Sequence, residues 1–280
     1  VSAGFGERVR AALRSSGPLC VGIDPHAALL DAWGLTQDAA GVREFGLRTV
    51  DAAAGRVAIV KPQVSFFERF GSAGFVALEE VLAAARAAEL IVIADAKRGD
   101  IGSTMDAYAA AWLTPGSALE ADALTVSPYL GVGALDGAFS LAAQHGKGVF
   151  VLAATSNPEA EPLQRSRGDD RSVAAGVLAE VSRRNAQAVA AEEWGSIGVV
   201  IGATVDWSAA GIDAFAPAAP ILAPGFGAQG AEPADLAHRF GAMAACVIAS
   251  ESRSILGAGP DGIAAAIEAR VAQYQEAARG

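Results

Sequence analysis

Residues 91–104 read IVIADAKRGDIGST, an apolar run that ends in two acids and two bases within six positions. In an extended strand alternate side chains share a face, so Ile91, Ile93, Asp95 and Lys97 point the same way if the strand persists to Lys97. A second run, VAIVKP, sets Val57, Ile59 and Lys61 on one face and also ends in a lysine. The chain has only three lysines, Lys61, Lys97 and Lys147, so two of them at the ends of adjacent strands point to a site rather than to solubility. An ordinary salt bridge or a helix cap is the plainer explanation of Asp95 and Lys97 taken alone. Ammonium and carboxylate groups are costly to bury together unless they satisfy one another, so an alternating array of them suggests a preorganised electrostatic site. Such a site can hold a lysine for proton donation or for a Schiff base. Schiff-base chemistry wants a lowered lysine pKa, whereas neighbouring carboxylates raise it, so charge favours acid catalysis. Asp100 stands three residues beyond Lys97, past a turn that Gly99 allows, and either remains near Lys97 or leaves the site.

Other strand ends carry further candidates. Asp24 follows CVGI, with Pro25 restricting the backbone behind it, and reads either as a turn aspartate or as a carboxylate that accepts bonds from substrate hydroxyls. PGFGAQG contains Gly225, Gly227 and Gly230, which permit close backbone approach and amide nests able to hold an anion. SESRSI supplies Arg253, whose guanidinium fork matches a phosphate, and Gln229 is a neutral donor beside it. Ser156 and Asn157 in ATSNP offer uncharged hydrogen-bonding groups for a heterocycle or sugar. His26 reads as a solvated loop histidine, and no Ser-His-acid set is evident. Asp24, Asp95 and Asp100 could be metal ligands, but Lys61 and Lys97 in the same ring would compete with a divalent cation.

These positions need a scaffold that brings strand ends together. Eight short apolar runs, 19–23, 57–61, 90–95, 123–127, 149–153, 197–202, 220–223 and 246–250, alternate with Ala-rich helical patterns. The helical patterns cover 38–54, 72–88, 103–113, 133–145, 173–194, 208–216, 232–243 and 261–277, and GERVRAALRSSG forms a short N-terminal helix closed by Gly17. Near-continuous apolar strands belong to parallel sheets covered on both faces. Eight such units predict a single (β/α)₈ TIM barrel domain over residues 1–280 with a short N-terminal helix. A doubly wound open sheet competes, although CVGIDPHAALL lacks the close glycine fingerprint of a dinucleotide fold. In a barrel the polar stretch 155–172 lies over the C-terminal mouth, and 24–37 forms a second long loop.

Composition agrees with a core-rich globular chain: 52% of residues are hydrophobic and 19% charged. A net charge of -10 with no basic cluster argues against nucleic acid or an anionic membrane as partner, while leaving room for a small anion in a cleft. No targeting segment or apolar run of about 18 residues is found, so a soluble, intracellular protein is expected. Cys20 and Cys246 read as buried thiols, and three scattered histidines make a histidine-based structural zinc site improbable.

Asp95, Lys97, Asp100, Ile101 and Thr104 in DAKRGDIGST, with Lys61, the PGFGAQG loop and Arg253 in SRSI, resemble the orotidine 5'-phosphate decarboxylases. The resemblance is to the longer bacterial form typified by mycobacterial members, and it spans Val21 to Leu256. It implies a barrel enzyme of pyrimidine biosynthesis that converts orotidine 5'-phosphate to uridine 5'-phosphate without metal or organic cofactor. By the same resemblance Asp24 and Lys61 hold the ribose hydroxyls, Asp95 lies beside the substrate carboxylate and Lys97 protonates C6 as carbon dioxide leaves. Ser156, or alternatively Asn157, reads the pyrimidine edge, and Gln229 with Arg253 grips the phosphate. Asp100 and Thr104 resemble residues that reach into the other subunit's site in a cytoplasmic homodimer. A magnesium-dependent sugar-phosphate decarboxylase of the same superfamily shares the Asp-x-Lys-x-x-Asp element but has a glutamate at strand two, where this chain has Lys61. A Schiff-base aldolase and a non-catalytic barrel are also compatible with lysines at a barrel mouth.

Overall fold

The computed structural model describes residues 3–168, 170–190 and 192–279. Eight parallel strands close on themselves: β1 (Leu19–Ile23), β2 (Ile59–Pro62), β3 (Ile91–Arg98), β4 (Ala123–Val126), β5 (Gly148–Ala154), β6 (Ile197–Ile201), β7 (Ile221–Pro224) and β8 (Val247–Glu251). Each pairs with its sequence neighbours, and β8 returns to β1 with Leu19 opposite Ala249. The eight predicted strands are all present, most with ends shifted by only a residue or two. The reason is the apolar run itself: β1, β2 and β4 are buried along their whole length, as a sheet lined by side chains within and helices without requires.

Helices Ala39–Ala53, Gly71–Ala87, Gly102–Leu113, Asp136–Gln144, Val173–Ala188 and Gly259–Ala277 form the outer layer. Two begin where side-chain chemistry dictates. Asp38 accepts from the Gly41 amide at 2.9 Å and Ser172 from the Ala175 amide at 3.0 Å, each satisfying a donor the first turn leaves free. The N-terminal helix Phe5–Ser16 lies across the N-terminal end of the barrel, with the Phe5 ring edge-on to Phe150 at 5.9 Å. A Cβ at Gly148 would fall on the Phe5 ring, so only glycine lets that ring seat. The bottom is therefore closed by packing.

Several helical expectations shorten. The pattern at 208–216 yields one turn, Trp207–Ala210, because Gly211 adopts φ 67° and stops it. The helix expected to reach 194 ends at Ala188, where Val189 turns extended. The 232–243 segment breaks into short 3₁₀ and α pieces, and 133–145 begins with a 3₁₀ turn before Asp136. The long loop 155–172 is not irregular throughout. It folds into helical turns at Pro158–Ala160 and Glu161–Gln164, followed by a hairpin that pairs Arg167 with Ser172.

Candidate active site

A cavity of about 260 Å³ opens at the C-terminal ends of the strands. Larger clefts of about 820 and 1000 Å³ lie elsewhere, one by the 167–172 hairpin and one beneath the N-terminal helix. Neither gathers strand-end charges, and the second includes Lys147, whose ammonium is paired with Glu120 at 2.8 Å. Three cations, Lys61, Lys97 and Arg253, face two carboxylates, Asp24 and Asp95, in the mouth cavity. The local excess is one positive charge on a chain whose net charge is -10.

Asp95 is the hub. Its Oδ2 accepts from Lys61 Nζ at 3.0 Å, and its Oδ1 accepts from Lys97 Nζ at 2.7 Å and from the Thr125 hydroxyl at 2.9 Å. Lys61 also lies 3.9 Å from Asp24, whose Oδ1 is buried without a hydrogen-bond partner. Burial raises the cost of charge at both Lys61 and Asp95. The fields of Asp95 and Asp24 nonetheless hold the Lys61 ammonium above the usual lysine range, and those of Lys61 and Lys97 hold the Asp95 carboxyl well below the carboxylate range. Lys61 and Asp95 are thus held in their charged forms, a preorganised pair.

Strict alternation does not place Lys97. β3 runs to Arg98 but bulges: Ala94 pairs with Leu124 and the next pair is Arg98 with Val126, so β3 spends four residues against two of β4. Within the bulge Lys97 takes φ 49°, a left-handed conformation uncommon outside glycine. Its amide donates to Thr125 Oγ1 at 2.9 Å. Thr125 was not among the residues expected here, and its one signal is a hydroxyl inside the apolar run ALTV. Gln63 is a second addition. Two residues beyond Lys61, its amide donates to the Asp95 carbonyl at 3.2 Å. Ser250 and Ser252 also line the cavity, and the Ser252 hydroxyl is buried without a partner. Leu152, Val200 and Leu222 supply an apolar floor.

From the ends of β7 and β8 the cavity is lined by Gly225, Phe226, Ala228, Gln229 and Arg253. The 225–231 loop turns tightly, with the Gly227 amide donating to Ala231 O at 2.7 Å and the Gly230 amide to Gly227 O at 2.9 Å. Beneath it Glu251, 1% exposed, accepts from Arg270 Nε at 2.8 and 2.9 Å, Tyr274 OH at 2.7 Å and Ser254 Oγ at 2.7 Å. Burial, and then the Glu251 charge, push the Tyr274 phenol above its ordinary range, which keeps it a donor. Gly227 has φ 67°, and a Cβ there would stand 2.5 Å from Ser254 Oγ and 2.6 Å from Glu251 Oε2.

Four expected residues lie apart from the cavity. Asp100 is half-buried and accepts from the Ile101 amide at 2.8 Å, and Thr104 is exposed on the following helix. Ser156 is exposed and lines a separate small cavity with Gln164 and Arg165. Asn157 accepts from the Thr155 hydroxyl and donates to Glu159. Thr155, rather than either neighbour, lines the mouth cavity, held by Gln164. His26 is not the solvated loop residue expected: it precedes the helix Ala27–Ala32, packs 6.1 Å from the Phe66 ring, and its Nε2 is buried without a partner. Both cysteines are buried and unpaired, and burial pushes Cys20 up to about 12 and Cys246 up to about 11. Among the described residues no three His, Cys, Asp or Glu side chains converge as a metal-ligand set, and no helix is long and apolar enough to cross a membrane.

The model of the Orotidine 5'-phosphate decarboxylase / HUMPS family matches residues 17–269. The chain belongs to this family. Within it, the orotidine 5'-phosphate decarboxylase of Salinispora tropica is 52% identical over 261 residues, covering 93% of this chain and 92% of that protein. The orotidine 5'-phosphate decarboxylase of Streptomyces coelicolor is 53% identical over 261 residues, with coverages of 92% and 91%. A crystal structure from Streptomyces avermitilis superposes with a TM-score of 0.93 at 48% identity and covers 100% of this chain and 97% of its own. Relatives of that name therefore match the chain over nearly its whole length.

Proposed function

We propose that the protein decarboxylates orotidine 5'-phosphate to uridine 5'-phosphate in de novo pyrimidine biosynthesis. The observation that carries this reading is the array of Lys61, Asp95 and Lys97 in a cavity that Arg253 and residues of the 225–231 loop also line, from the β7 and β8 ends, in a chain 52% identical to a decarboxylase of that name. A substrate bearing a carboxylate and a phosphate needs cations at both ends.

In this reading Gln229 and Arg253 take the phosphate, and Asp24 and Lys61 take the ribose hydroxyls. Asp95, kept ionised by its two lysines, stands beside the substrate carboxylate. The C6–carboxylate bond breaks, carbon dioxide departs, and the electron pair left at C6 takes a proton from Lys97 Nζ to form the C6–H bond. A fixed ammonium stabilises charge that develops only in the transition state, so its contribution falls on the chemical step. No metal or organic cofactor enters this scheme. Ser156, with Asn157 as the alternative, reads the pyrimidine edge once the 155–172 segment moves over the bound base.

Asp100 and Thr104 complete the site of a second copy in a homodimer. Support comes from their place on the rim beside exposed apolar side chains, Ile101 at 62%, Leu130 at 53% and Tyr129 at 78% exposure, a concentration that suits a covered surface. The test of the activity is loss of orotate absorbance from orotidine 5'-phosphate in the presence of a chelator. Folded protein that turns over no substrate would refute the reading.

A further inference from the structure

Thr125 lies inside β4, between Leu124 and Val126 in a strand buried along its whole length, and is itself fully buried. A hydroxyl in such a place must be satisfied, and this one is satisfied twice. It donates to Asp95 Oδ1 at 2.9 Å and accepts from the Lys97 amide at 2.9 Å. The two residues it joins carry the charge array, and one of them, Lys97, holds φ 49° in the β3 bulge. The bulge breaks the β3–β4 ladder between Ala94 and Arg98, so the Lys97 amide has no ladder partner and depends on this side chain.

We infer that Thr125 is a positioning residue, whose single hydroxyl fixes the Lys97 backbone in its left-handed turn and the Asp95 carboxylate in its rotation, thereby aiming the Lys97 ammonium. The hydroxyl hydrogen is committed to Asp95 because the Lys97 N–H occupies an oxygen lone pair. That leaves Asp95 Oδ1 with two donors and Oδ2 with Lys61, which defines the carboxylate plane. Without the hydroxyl the carboxylate would keep Lys61 on Oδ2 and the half-exposed Lys97 ammonium on Oδ1, and would lose the one donor carried on a short, fully buried side chain. Lys97, half-exposed at its tip, would lose the one bond that fixes its amide. Thr125 lies under the array rather than in the cavity lining, so it acts through Asp95 and Lys97 and not on the substrate.

The inference rests on the decarboxylase reading, and its test separates the two. Turnover of orotidine 5'-phosphate and exchange of the C6 hydrogen of uridine 5'-phosphate in deuterium oxide are measured for wild type, Thr125→Val and Thr125→Ser. Exchange reports the Lys97 proton transfer in reverse without carbon dioxide loss. Thr125→Val, which keeps shape and removes the hydroxyl, should lower kcat by about 10- to 100-fold, the scale of a slightly misplaced catalytic group, and slow exchange comparably while KM stays within about threefold. Thr125→Ser, which keeps the hydroxyl, should stay near wild type in both. If Thr125→Val does not fold, Thr125→Ala takes its place in the comparison with serine. A wild-type kcat in the hydroxyl-free variant, a loss confined to KM, or equal losses in valine and serine variants would overturn the inference. An inactive wild type would instead overturn the decarboxylase reading.

Discussion

Gly227→Ala tests the assignment of the 225–231 loop to phosphate. Two costs follow from its surroundings. At φ 67° an L-residue pays about 1–2 kcal/mol for the left-handed backbone. The new methyl would also stand 2.5 Å from Ser254 Oγ and 2.6 Å from Glu251 Oε2, so the loop must lift or the Ser254–Glu251 hydrogen bond must break. A hydrogen bond to a charged group is worth about 1.5–3 kcal/mol, and Glu251 is further pinned by Arg270 and Tyr274, so the loop is the softer partner. If about 2 kcal/mol of this appears as displacement of the loop, affinity for a phosphorylated ligand falls about 30-fold. The assay is KM for orotidine 5'-phosphate together with the inhibition constant of inorganic phosphate, and both should rise by that factor while kcat at saturation changes little. Gly230→Ala is the control: its φ of 101° is strained as well, but a Cβ there meets nothing, so its loss should be smaller. A folded Gly227→Ala protein with KM and phosphate inhibition within about twofold of wild type would refute the reasoning.

Lys97→Ala should lower kcat by at least about 10²–10⁴-fold, the usual worth of a positioned general acid, while the melting temperature stays close to wild type because the side chain is 46% exposed. Unchanged kcat would remove Lys97 from the chemistry. The folded Asp95 pKa lies below its ordinary 3.8, so its stabilising contribution is full above 3.8 and is lost as pH falls through the lower folded value. The folded Lys61 pKa lies above its ordinary 10.5, so its contribution is full below 10.5 and is lost as pH rises through the higher folded value. Neither group should therefore contribute a slope to the wild-type unfolding free energy from about pH 5 to 9. The loss of stability in Asp95→Asn, read by urea titration, should shrink only below about pH 4, and a difference that already shrinks between about pH 7 and 5 would contradict the charge state assigned to Asp95. Mixed Lys97→Ala and Asp100→Ala subunits should recover up to about a quarter of wild-type activity, since half the random dimers carry one intact site. Verified heterodimers without recovery would exclude Asp100 from a shared site.

The sequence by itself determined that the chain is a parallel α/β fold, and it placed the eight strands to within a few residues. Near-continuous apolar runs such as LCVGI belong between two covering layers, and eight of them favour a closed barrel over an open doubly wound sheet. It also determined that Lys61 and Lys97 end neighbouring strands, because lysine is rare in this chain and stands at the last positions of those runs. Helix lengths at 208–216 and 232–243 were not legible, since Ala-rich composition favours helix while Gly211 and local 3₁₀ geometry decide where it stops. Thr125, Gln63 and the buried Glu251 were not legible as parts of the site either. Each matters through a partner 30 or more residues away for the first two, and 19 and 23 residues away for Glu251 with Arg270 and Tyr274. Alternation predicted a shared face for Asp95 and Lys97, and the two do meet, but through a bulge that breaks the alternation. Periodicity can say which residues share a face. The rotation of a carboxylate, the hand of one backbone angle and the partner of a buried hydroxyl are set by contacts across strands, and only the closed barrel brings those together.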